Sequence, residues 1–244
     1  MAGLRILLDP WLVGPLVFGN LPWLFKGDRP KAREIPENID LILLSQGLED
    51  HTHPPTLKQL NRNIPVAGSP SAAKVVKELG FTEVTALAHD ECFTLANKVE
   101  IKATPGSPIG PQLVENGYLL KDLGAGTTLY YEPHGYHSPT LKAAAPVDVV
   151  IVPIIDLALP LVGSIIKGSQ SALEVAKILQ PQVMLPTAAG GDVIFEGLLM
   201  SILRGLGSID EFRSLLVENN LSTQVIDAKP GEAFEIQLQK RAVI

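Results

Sequence analysis

The chain has 244 residues, 46% of them hydrophobic, and a net charge of −6 with no block of basic residues. That is enough apolar material for a substantial core, which excludes a disordered chain, and the lack of clustered Lys and Arg excludes a nucleic-acid partner. The single cysteine, Cys92, excludes an intramolecular disulfide, and with no secretory signal at the N-terminus the expected location is the cytoplasm.

The first expected strand is RILLD, Arg5 to Asp9. The apolar stretch that follows, Trp11 to Phe25, is short and broken by Pro15 and Pro22, so it does not span a membrane. Its aromatic residues suit an apolar pocket wall, packing onto the core, a homo-oligomer contact or a membrane-surface contact. LILLS, Leu41 to Ser45, is a strand that stops at Gln46, and a polar loop carrying Asp50, His51 and His53 leads to a short helix after Pro55. PVAG (Pro65 to Gly68) is the next strand, and Ser71 to Leu79 has helical apolar spacing ended by Gly80. VEIKAT (Val99 to Thr104) precedes a hairpin, GYLLKD–LGAG–TTLYYE, whose glycines suit a tight turn better than a phosphate loop.

After the loop PHGYH comes Val149 to Ile166, long enough to cross a membrane but interrupted by Pro153, Asp156 and Pro160. A buried strand followed by an apolar loop is expected instead. Then come a helix (Ser171 to Leu179), a strand (Val183 to Thr187) and the turn TAAGGD, ending in Asp192. Helices over Phe195 to Gly205 and Ile209 to Asn220 and strands over Thr223 to Asp227 and Ala233 to Gln237 complete the chain. This alternation predicts one α/β domain over residues 1–244, a four-layer αββα sandwich of two mixed sheets flanked by helices.

The segments LLDPWL, DLILLSQGLEDH, IKATPG, NGYLL, LYYEPHG, DVVIVPI and MLPT, in that order, resemble the metallo-β-lactamase fold superfamily over nearly the whole chain. Within it they resemble the ascorbate-phosphate-lactonase-like branch, in a cyanobacterial and plant subgroup with LSQG, ENGY and YYEPH signatures. The resemblance implies an αββα sandwich with a metal site at a sheet edge, built around H-x-H-x-D-H. Laid onto this chain, that motif puts Gln46 and Leu48 at the first two histidines and leaves Asp50 and His51 at the last two positions. The family's third histidine falls near Gly106 or Ser107, its bridging Asp on His134 and its last histidine on Ala188. The first metal position is thereby lost, and a reduced, at most mononuclear site of Asp50, His51 and His134 is what the resemblance leaves for zinc or another divalent metal.

An Asp/His/His set with one open position is the composition of a catalytic zinc centre. Asp50, Glu132 and His53 are then the catalytic candidates, with Glu132, His53 or His137 moving the proton. Gln46, Ser107, His137 and Asp192 are the substrate-binding candidates, Asp192 also as a replacement ligand or a turn cap. The expected activity is hydrolysis of a small ester, lactone or phosphoester. The bland alternative keeps the same scaffold without metal or turnover: His51 and His53 as solvated loop residues, His134 and His137 as ordinary hairpin-loop polar groups, and a pocket that only binds a small molecule.

Overall fold

The computed structural model describes residues 1–109, 113–160, 163–187 and 191–241. Two sheets form its middle. The first is wholly parallel, in the order Ile6–Leu8, Leu41–Leu44, Val66–Gly68, Val84–Ala86. The second has seven strands, in the order Gln224–Val225, Val183–Thr187, Val149–Pro153, Thr128–Tyr131, Leu113–Asp122, Val99–Ile109, Cys92–Leu95. Its first four are parallel and the remainder antiparallel, so this sheet is mixed.

The layering follows from the period-two alternation of side chains in a strand. In Leu41–Leu44 every residue is buried, as expected of a parallel strand covered on both faces. Leu41 and Leu43 meet Ile101, Ala103, Tyr118, Leu120 and Tyr131 of the other sheet. Ile42 and Leu44 face the opposite way, onto Ala72 and Val76 of the helix Pro70–Glu78. In the larger sheet Tyr130, Val150 and Val152 pack against the helices Ser169–Leu179 and Ile209–Glu218. The order is helix, sheet, sheet, helix: the expected αββα sandwich. Tyr118 stitches the sheets together, its buried hydroxyl donating to the Leu44 carbonyl at 2.7 Å.

Two three-stranded sheets were not anticipated. In one, Asp156–Leu159 pairs with Gly163–Ile166 and Arg204–Leu206; in the other, Lys26–Asp28 pairs with Leu16–Val17 and Ile194–Glu196. They overturn the helix expected over 195–205. Gly197 has φ +110°, and a Cβ there would lie 2.6 Å from the Leu24 carbonyl, so backbone pairing with the 23–28 segment replaces most of the helix and leaves one 3-10 turn over Leu198–Ser201. Leu198 and Leu199 N–H groups donate to Trp23 and Leu24 carbonyls. The strand expected over 233–237 is also absent, and that segment is irregular. Among the described residues no helix is long and apolar enough to cross a membrane.

Candidate metal centre

Parallel strands present their C-terminal ends at one edge, where α/β proteins place ligands. Asp9 follows Ile6–Leu8, Ser45 and Gln46 follow Leu41–Leu44, and Glu132 to His134 follow Thr128–Tyr131. The two sheets bring these ends together. One ligand-type atom from each of Asp50, His51 and His134 lies within 4.8 Å of the others.

His51 is the centre of the cluster. Its Nδ1 is 2.7 Å from Asp9 Oδ2 and its Nε2 is 3.1 Å from Asp50 Oδ2. Burial opposes a charge on the ring, but Asp50 and Asp9 outweigh it and hold the imidazole pKa at about 10. The Asp50 carboxyl is pushed up by burial and pulled further down by His51, ending below its ordinary value. His134, 4.9 Å from His51 between ring centroids, is driven to about 4 by burial and by the His51 charge, so its ring is neutral at pH 7.

Asp9 was not among the residues expected at the site. Its Oδ1 accepts the Ser45 N–H at 2.7 Å, and its Oδ2 accepts the Ser45 hydroxyl, the Tyr131 hydroxyl at 2.6 Å and His51 Nδ1. An aspartate ending an apolar strand just before Pro10 was the available signal. A carboxylate on Nδ1 that leaves Nε2 facing the cluster is the outer-shell arrangement of metal-binding histidines.

These residues fit one divalent cation. Asp50 Oδ1 is buried and has no hydrogen-bond partner among the described residues. Both His134 nitrogens lack a partner better than the Gln46 amide nitrogen at 3.4 and 3.5 Å. A tetrahedral centre with bonds of about 2.1 Å needs ligand atoms roughly 3.4 Å apart. The Asp50–His51 pair meets that spacing at 3.1 Å. His134, within 4.8 Å of the other two, would have to close by at most about 1.4 Å, a change a rotamer adjustment supplies.

Glu132 is fully buried under the His134 loop, and Oε2 accepts the backbone N–H groups of His134 and Tyr136 at 3.1 and 2.8 Å. Burial lifts its pKa to about 7 despite those bonds, and Oε1 has no partner. The loop is pinned from outside too. A Cβ on Gly135 would fall 1.7 Å from the Lys167 carbonyl, and the Lys167 N–H donates to the His134 carbonyl at 2.8 Å.

Other candidates lie elsewhere. His53 is turned away from the cluster: Nδ1 accepts from the Thr56 N–H and Nε2 donates to the Pro15 carbonyl at 3.1 Å, so the ring caps the helix Pro54–Leu57. Both nitrogens of this residue, expected to move a proton, are engaged in those bonds. Asp192, expected to bind substrate or replace a ligand, is paired with Arg29 at 3.3 Å and with Arg33. Ser107 is buried where the strands Val99–Ile109 and Leu113–Asp122 lose register between Pro105 and Pro108. His137 receives or gives a hydrogen bond with the Tyr130 hydroxyl at 3.1 Å and lines a groove of about 630 Å³ with Gly106, Tyr136, Asp156 and Lys167. Leu48 is exposed, and Ala188 lies outside the described residues.

A family model described as beta-lactamase superfamily domain matches residues 1–188. No curated protein matches the chain. Among solved structures, an isothiocyanate hydrolase from Delia radicum gut bacteria is 16% identical with a TM-score of 0.68, over 98% of this chain and 95% of its own. A metallo hydrolase from the hyperthermophilic archaeon Ignicoccus hospitalis is 18% identical with a TM-score of 0.65, over 97% and 93%. A diiron β-hydroxylase from Streptomyces venezuelae is 18% identical with a TM-score of 0.62, covering 93% of this chain but 50% of its own. Identities this low speak to fold, and the last neighbour has a different chemistry on it.

Proposed function

The chain belongs to the beta-lactamase superfamily, and from that premise we propose that it is a metal-dependent hydrolase with a single-metal centre, acting on a small ester, lactone or phosphoester. The carrying observation is the convergence of Asp50, His51 and His134 with an unpartnered Asp50 oxygen. These three side chains would hold zinc or another divalent metal. Such an ion, when bound, lowers the pKa of its water toward about 7 and polarises a carbonyl or phosphoryl oxygen.

The protein's own groups supply the rest. Asp9 holds His51 as the Nδ1–H tautomer, aiming Nε2 at the centre. Glu132, with a pKa of about 7 and a free Oε1, is poised to take and return a proton near neutrality. The Gln46 amide, 3.4 Å from His134, orients substrate where the family carries a histidine. The groove beside the His134 loop receives the rest of the substrate, with His137, whose Nε2 has no partner among the described residues, in its wall and Lys167 above the Tyr136 ring.

A second reading has its own support. His51 already bridges two carboxylates, so a proton occupies the place of a cation and the ion network is closed. On that reading the chain is a metal-free binding protein. Elemental analysis of tag-free protein decides between them. The hydrolase reading expects about one zinc, iron or manganese per chain, lost in Asp50→Ala and in His134→Ala. Less than about a tenth of a metal per chain, with no thermal stabilisation on adding zinc, rules it out.

A further inference from the structure

A second groove, of about 660 Å³, shares no residue with the metal cluster. Its walls include Trp11, Arg29, Lys31 and Arg33 on one side of the chain's course and Pro230 and Gly231 on the other. Three cations line it in a molecule whose net charge is −6. Against them stand Asp192, which pairs with both arginines, and Glu34. One positive charge is left over.

The arginines are pre-set. The Arg29 guanidinium lies 4.4 Å from the Trp11 ring centroid, and that indole is itself fixed by its N–H on the Gly14 carbonyl at 2.9 Å. The Arg33 backbone N–H donates to the Leu12 carbonyl at 2.9 Å, and its guanidinium lies against Gly231, where a Cβ would come within 3.2 Å. A guanidinium has five N–H donors, and Asp192 meets Arg29 only at Nη1 and Arg33 only at Nη2. The Arg29 Nε–H is buried and has no acceptor among the described residues. Burial depresses the Arg29 pKa, with Asp192 opposing and Arg33 adding to that effect. A buried donor left unmade is costly unless a ligand meets it.

We infer that this groove is an anion-binding site for the phosphate-type end of a small soluble ligand, with Arg29, Lys31 and Arg33 as its donors. Planar guanidinium forks match the oxygens of phosphate, and the long stem of an exposed lysine adds reach. A two-walled recess favours a free small molecule over a flat lipid surface. The inference is independent of whether the cluster at His51 carries a metal.

Calorimetric titration of the full chain with pyrophosphate and with inorganic phosphate tests it. One saturable pyrophosphate site per chain is expected, weakening as salt rises from about 20 to about 200 mM. Arg33→Gln should weaken it about tenfold or more. Because that change also removes a partner of Asp192, Lys31→Glu, at an exposed position, is decisive: it too should lose about tenfold with an unaltered unfolding curve. No saturable heat at millimolar pyrophosphate overturns the inference. So does unchanged affinity in Lys31→Glu, because the anion would then be binding elsewhere, the metal centre included.

Discussion

Asp9→Asn probes the site with the least steric change. Asn tolerates the left-handed backbone of this position, φ 39°, so strain does not enter. The Ser45 N–H can stay on the amide oxygen. The other oxygen, which takes the Tyr131 and Ser45 hydroxyls and His51 Nδ1, becomes an NH₂. The two hydroxyls can rotate, although the NH₂ has two hydrogens for three neighbours and leaves one hydroxyl without it. The imidazole cannot: Nδ1 must give up its proton and accept from the amide, which moves the ring proton to Nε2. His51 is then neutral, with an N–H aimed at Asp50 and at any cation. Loss of a buried, charge-assisted bond of this kind costs about 3 kcal/mol. Urea unfolding with chelator present measures that cost. Zinc affinity, by competition with a chelating dye, should fall about 10–100-fold, because a protonated Nε2 is no ligand. Tyr131→Phe removes one hydroxyl and leaves the tautomer alone, so it should cost about 1 kcal/mol and spare the metal. If Asp9→Asn lost under about 1 kcal/mol and bound zinc like the parent, the orienting role assigned to Asp9 would be wrong.

His137 should make the protein acid-sensitive. Burial first and Lys167 second move its pKa from 6.5 to about 4. The unfolded chain therefore takes up this proton below about pH 6.5 while the folded chain resists until about 4, so stability falls with falling pH across that window, by about 3 kcal/mol. Gln carries no proton, so between pH 8 and pH 4 the urea-derived stability of His137→Gln should fall by about 3 kcal/mol less than that of the parent; parallel curves would refute it. His53→Ala should cost about 1–2 kcal/mol through the lost cap and carbonyl bond while leaving metal content unchanged. A loss of metal in that variant would put the ring back at the centre.

The layered fold was legible because its strands and helices obey local rules. Leu41–Leu44 reads as a strand buried on both faces, and it is one. The hairpin glycines predicted a turn, and Asp122 Oδ1 takes the Gly124 and Ala125 N–H groups there. The helix expected over 195–205 failed because its apolar spacing reflects pairing to a distant segment, and Leu198 and Ile202 end up exposed. At the site, Asp50, His51 and His134 could be picked out as candidates that the structure brings together. Asp9 was missed: its place at a strand end before Pro10 was visible, but its partners Ser45, His51 and Tyr131 lie 36, 42 and 122 residues away. The partners of His53 and Asp192 were hidden for the same reason: residue type announces chemistry, while Pro15, Thr56, Arg29 and Arg33 are what those side chains engage.

The cluster draws one acidic oxygen and an imidazole from loops behind the first sheet and its other imidazole from a loop behind the second. Neither half of the chain can host an ion with all three, so occupancy exists only once the sandwich has shut. Any cation resident there would act as a clasp across the interface, its affinity added to the cohesion of the two halves and withdrawn when they part.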